Sequence, residues 1–166
     1  GLGDVYKRQL ANKIKLCCIT LFLDMCLLYI LDYEENLSSR DIFFIYSMLF
    51  IHLLLYIALY NLLDKNLLYG DSFYRLIDIL HVLMFLSLVY GFYLNNFLLK
   101  CLILFLLAFI QVMWTVEKEC IMNTKPFGPG YGKAIGIATF FYTIFFTFSL
   151  GYTKKEIDDK RFLEQS

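Results

Sequence analysis

The longest apolar run in the chain extends from Leu76 to Val116 and is interrupted midway by Gly91 and the pair Asn95-Asn96. As one helix it would reach roughly 60 Å at 1.5 Å per residue, about twice the thickness of a hydrocarbon core. Consecutive asparagines favour a turn, because their side chains bond to nearby backbone and tolerate left-handed geometry. The pattern therefore predicts two membrane spans, 76–94 and 97–116, folded back on each other as a hairpin.

The same alternation of long apolar runs and short polar breaks recurs on either side. Residues 42–63 form a run without a formal charge, and 134–152 form another after a loop (117–133) that holds both prolines. A fifth run, 16–31, follows Lys13 and Lys15 and carries Asp24 at its centre. No A-x-A site follows it, so a span sheltered by other helices is expected rather than a signal peptide. In the polar loop Asp32–Asp41, Ser39 or Asp41 is placed to cap the next helix. The predicted fold is all-α: a polytopic helical membrane protein with four spans (42–63, 76–94, 97–116, 134–152) and a fifth at 16–31.

Residues 1–9, GLGDVYKRQ, resemble a translated adapter scar and are set apart from the fold, with the natural start then expected elsewhere. Residues 10–152 are read as one membrane domain and 153–166 as a polar tail. In that tail Glu156–Lys160 and Asp158–Arg161 have the spacing of helical ion pairs. Lys and Arg divide almost evenly between the two faces of a five-span arrangement, so the positive-inside rule leaves orientation open.

Composition strengthens the membrane reading. The chain is 60% hydrophobic, with 17 Phe and 13 Tyr but only two Pro. Soluble domains average about 45–50% apolar, and 166 residues cannot cover this excess in one small core. A lipid bilayer can. The formal net charge is zero, which argues against a nucleic-acid partner. Five cysteines, an odd number scattered near apolar runs, do not make a disulfide framework. Cys17 and Cys18, beside two lysines at the expected membrane edge, suit lipidation, though buried thiols fit equally.

Asp24, His52, Asp78 and His81 are the polar groups that lipid would tolerate least. Asp24 and His52 fall near the middle of their runs, so an antiparallel pair of helices would bring them to one depth. A hydrogen bond between them would serve as a structural clasp or as a proton relay. His52 and His81 on separate helices raise bis-histidine haem ligation as a minor alternative, weakened by an offset of roughly 6 Å of His81 from the centre of its span. No other feature suggests a cofactor or metal. Arg75, Asp78 and His81 share one side of a helix entrance, either as an interfacial polar stripe or as the mouth of a small-ligand site.

In the last span Gly132, Gly136, Thr139, Thr143, Thr147 and Gly151 recur at steps of three or four, which predicts a packing face of small residues. Phe140, Phe141, Tyr142, Phe145, Phe146 and Phe148 are then expected to meet lipid or fill a groove. Lys100, close to the hairpin turn, is expected to snorkel to the surface. GPGYGKA lacks the spacing of a phosphate-binding loop: Phe127 stands where the first Gly belongs and Ala134 where Ser or Thr belongs. No nucleophile–base grouping or paired catalytic carboxylates can be read from the sequence.

From His81 onward, the pattern His81…Trp114-x5-Cys120-Ile-Met-Asn resembles a family of small multi-span proteins from bacteria and large viruses. Its members pair a histidine early in one span with a tryptophan at the end of the next and a cysteine in the following loop. The resemblance covers residues 77–124 and implies architecture only. Met113 stands where the family often has His, and the Thr after the cysteine is displaced to Thr124.

Together these features lead to the expectation of a non-catalytic helical subunit or scaffold. Its partners would be the bilayer and other membrane proteins or a second copy. The alternative is a small transporter-like or proton- or redox-handling protein that uses the intramembrane Asp and His.

Overall fold

A computed structural model describes residues 2–63, 70–117 and 131–165. Five α-helices follow one another: α1 (Leu2–Tyr33), α2 (Ser39–Leu63), α3 (Gly70–Tyr90), α4 (Phe97–Glu117) and α5 (Tyr131–Gln165). A 3-10 turn, Gly91–Tyr93, separates α3 from α4. There is no strand among the described residues, and the all-α expectation holds. Each helix contains a stretch long and apolar enough to cross a membrane: Lys13–Tyr33, Ser39–Tyr60, Arg75–Tyr93, Phe97–Val116 and Gly136–Leu163.

Two boundaries differ from the sequence pattern. The first span reaches 21 residues because helix continues past the apolar run at both ends, which matches the ~20 residues a bilayer requires. α5 runs on without a break through the polar tail to Gln165. There Glu156 and Lys160 pair at 3.1 Å on the exposed surface, while Asp158 and Arg161 form no ion pair among the described residues. The backbone of α1 likewise takes in residues 2–9. Most of the loop expected at 117–133, including both prolines, falls outside the described residues, and so does 64–69.

Close packing runs in the order α3–α2–α1–α4–α5, so α3 and α5 form the two margins of the arrangement. The larger core gathers Leu23 and Leu27 of α1, Ile45 of α2, Leu99 and Leu107 of α4, and Phe146 of α5. A smaller one joins Leu16, Leu55, Ala58 and Leu80 across α1, α2 and α3. Large apolar side chains also cover the outside, among them Phe43, Phe50, Phe105, Phe141, Phe145 and Phe148. In water this surface would drive aggregation; against lipid tails it carries no such penalty.

One end of the bundle is tied by polar groups. Ser38 is the residue before α2 and acts as its cap: its hydroxyl accepts the Asp41 N–H at 3.3 Å, and Asp41 Oδ2 accepts the Ser38 N–H at 3.0 Å. This is a reciprocal capping box. The cap is thus Ser38 rather than Ser39 or Asp41, because Ser39 is already helical and its predecessor supplies the oxygen. Asp41 also reaches across the bundle, its Oδ1 accepting the backbone N–H of Asn95 at 2.9 Å and of Asn96 at 3.2 Å. Asn96 caps α4 by accepting the Leu99 N–H, and its side chain donates to Glu34.

Lys100 does not snorkel. It is 4% exposed and donates to the Thr153 hydroxyl at 2.7 Å and that of Ser149 at 3.4 Å. The cause is α5, which passes beside the start of α4 and brings two hydroxyls to the ammonium. Gly91 lets the 3-10 turn approach both α4 and α5 closely. A Cβ built there would stand 2.6 Å from Ile103 Cδ1 and 3.2 Å from Phe146 Cε2.

Candidate functional site

Asp24 and His52 meet. His52 Nδ1 lies 2.5 Å from Asp24 Oδ1 across the α1–α2 interface, and the Tyr56 hydroxyl donates to Asp24 Oδ2 at 2.7 Å. Tyr56 is one helical turn beyond His52, so one face of α2 presents both groups to one carboxylate. Tyr56 is the member that sequence reasoning missed; its i+4 spacing from His52 was the available signal. His52 is fully buried, and its Nε2 has no hydrogen-bond partner among the described residues. A neutral imidazole that donates from Nδ1 to the carboxylate leaves Nε2 as a bare acceptor.

The second histidine belongs to a different place. His81 is half-buried on α3 and lines a cavity of about 290 Å³, to which His52 does not contribute. Asp78, exposed on the same helix, lies within electrostatic reach of His81. No group of three His, Cys, Asp or Glu is placed to hold a metal ion among the described residues.

The cavity has contributions from all five helices. Thr20 and Leu23 come from α1, Met48 from α2, Leu88 from α3, Trp114 from α4 and Thr139 from α5. Its walls are almost wholly apolar. Two of its polar side chains are engaged by backbone: Thr20 donates to the carbonyls of Leu16 and Cys17, and Tyr142 donates to the Leu88 carbonyl.

The small-residue row of α5 divides. Gly136 packs on the Trp114 ring and Thr139 is buried, but Thr147 and Gly151 face outwards. The hydroxyls of Thr143 and Thr147 bond back to the carbonyls of Thr139 and Thr143 in their own helix. Inward positions belong instead to Thr139, Tyr142, Phe146 and Thr153, with Phe146 completely buried. The physical reason is angular drift. Each four-residue step overshoots a turn of 3.6 residues by about 40°, so a row at steps of four winds off the contact, whereas alternating threes and fours stay on it. Tyr142 and Phe146 therefore join the core, with Phe92 packed edge-on against both rings.

The environment of Gly132 lies outside the described side chains, as does Cys120. Cys18 is exposed and Cys17 half-buried, and both are free thiols. His81 and Trp114, two positions of the His…Trp…Cys pattern, both line the cavity. No family model, no curated protein and no solved structure matches the chain.

Proposed function

We propose that the protein is a non-catalytic, polytopic helical membrane subunit that packs against other membrane proteins or a second copy of itself. The observation that carries this reading is how its buried ionisable groups are engaged. Asp24 joins α1 to α2, Asp41 joins α2 to the turn before α4, and Lys100 joins α4 to α5. Such bonds hold a rigid intramembrane body together and consume the groups that chemistry would need. Outside this body, the exposed stretch of α5 sets Thr147 and the open surface of Gly151 beside Phe148 and Tyr152, a notch into which a partner helix fits.

Native mass in mild detergent tests the proposal. A stoichiometric assembly larger than one 19.6 kDa chain, lost in Gly151→Leu or Thr147→Leu with the helical content unchanged, is the expected result. A single chain in detergent for the unaltered protein would overturn it.

One observation favours a second reading, a small proton-handling protein: the buried Nε2 of His52, without a hydrogen-bond partner among the described residues, beside the Asp24–Tyr56 pair. In proteoliposomes loaded with a pH-sensitive dye, that reading requires proton flux that disappears in Asp24→Asn. Equal traces for the variant, the unaltered protein and empty vesicles would dispose of it.

A further inference from the structure

We propose that the cavity lined by all five helices is a binding site for one fatty acyl chain, entered sideways through the seam between α3 and α5. This goes beyond the subunit reading and does not depend on it.

Size comes first. Apolar cavities of about 150 Å³ already take up benzene or xenon, and ligand pockets start near 300 Å³; this one measures about 290 Å³. Shape then selects a chain over a compact ring. The lining runs from His81 to Leu88 on α3 and from Leu106 to Trp114 on α4, a length of about 10–12 Å along the helix axes at 1.5 Å per residue. Several methylenes in line match that outline.

Access points to the bilayer as the source. α3 and α5 are the margins of the packing order, and the cavity lies behind them. At one end they are bridged: Tyr142 bonds to the Leu88 carbonyl, and Phe92 of the 3-10 turn packs on Tyr142 and Phe146. Away from that bridge, Phe85 of α3 and Ala138 of α5 line the cavity and are also exposed at the surface. Both lie inside stretches apolar enough to be in lipid. A lipid tail therefore reaches the seam without crossing water. His81, Trp114 and Thr139 lie toward the end opposite the bridge, where the polar end of such a molecule would be directed.

Photolabelling of the full chain in vesicles tests this, using a fatty acid with a terminal diazirine and, in parallel, a phosphatidylcholine carrying the same chain. The expected result is adducts on Met48, Leu88, Leu106 or Leu107 that unlabelled chain competes away. These adducts should be lost in Leu107→Trp, which fills the cavity, and in Ala138→Leu, which narrows the seam at a position that tolerates bulk. Labelling of outward Phe141 and Phe145 should persist in both as the measure of ordinary lipid contact. Labelling by the free acid alone or by the phospholipid alone supports the site and identifies its source. Adducts confined to Phe141, Phe145 and similar outward positions overturn it, as do interior adducts that Ala138→Leu leaves unchanged.

Discussion

The carboxylate of Asp41 accepts the backbone N–H of Asn95, 54 positions later in the chain, at 2.9 Å. One side chain thereby closes the start of α2 with Ser38 and holds the turn that leads into α4. Hydrogen bonds to a charged group contribute about 1.5–3 kcal/mol each. Asp41→Ala, which orphans two turn N–H groups and the cap, is expected to cost about 2–4 kcal/mol. Glu34→Ala, which removes only a bond to the Asn96 side chain, should cost about 1 kcal/mol or less. Thermal unfolding of both variants in the same detergent checks the ranking; equal midpoints would contradict it.

Gly91 and Gly151 should respond oppositely to the same substitution. Gly91→Ala drives a Cβ into Ile103 and Phe146, and overpacking of this kind costs about 1–3 kcal/mol. Ile103→Val removes the Cδ1 that stands nearest, so the double variant should be less destabilised than the two singles summed. Nothing lies within 4 Å of a Cβ at Gly151, and Gly151→Ala should be neutral or stabilise the helix by about 0.5–1 kcal/mol. Additivity at position 91, or loss of stability at 151, would refute the packing described.

In the first turn of α4, removing the charge of Lys100 should be cheaper than removing its partner. Lys100→Met deletes a buried ammonium, and the Thr153 hydroxyl keeps its bond to the Ser149 carbonyl. Thr153→Val leaves the ammonium with the longer hydrogen bond to Ser149 and the more distant carboxylates of Asp41 and Glu156, a buried charge with too few hydrogen bonds. We expect Lys100→Met to lie within about 1 kcal/mol of the unaltered protein and Thr153→Val to cost about 2 kcal/mol or more. The reverse order in denaturant titrations would show that Lys100 contributes through its charge.

Asp24, His52 and Tyr56 should behave as one energetic unit. Tyr56→Phe removes one donor to Asp24 and is expected to cost about 0.6–1 kcal/mol, the usual scale for hydrogen bonds between membrane helices. Asp24→Asn and His52→Ala each leave a buried partner behind, so their double variant should be less destabilised than the sum of the singles. A coupling energy near zero in that cycle would show that the contact between α1 and α2 rests on packing alone.

Much of the candidate site was legible because depth in a span follows from counting residues. Asp24 and His52 stand near the middle of adjacent antiparallel runs, which is sufficient to bring them level. Tyr56 required knowing which face of α2 turns toward α1. The cavity was not legible, since its lining comes from five helices whose rotations the sequence does not state. Lys100 shows the same limit. A lysine near a turn snorkels by default, and only the arrival of Ser149 and Thr153 from a helix 49 and 53 positions away gave the ammonium partners inside.

What the sequence determined by itself was the number of helices, their character and the medium they suit, because apolarity and length are local properties of each run. The turn at Asn95-Asn96 and the break at Gly91 belong with these, as they depend on backbone preferences of a few adjacent residues. The tertiary structure decided which face of each helix turns inward. It buried Phe146 and Tyr142 while leaving Thr147 and Gly151 outside, since a helix rotates to suit its neighbours and a drift of about 40° per four residues separates rows that look alike in sequence.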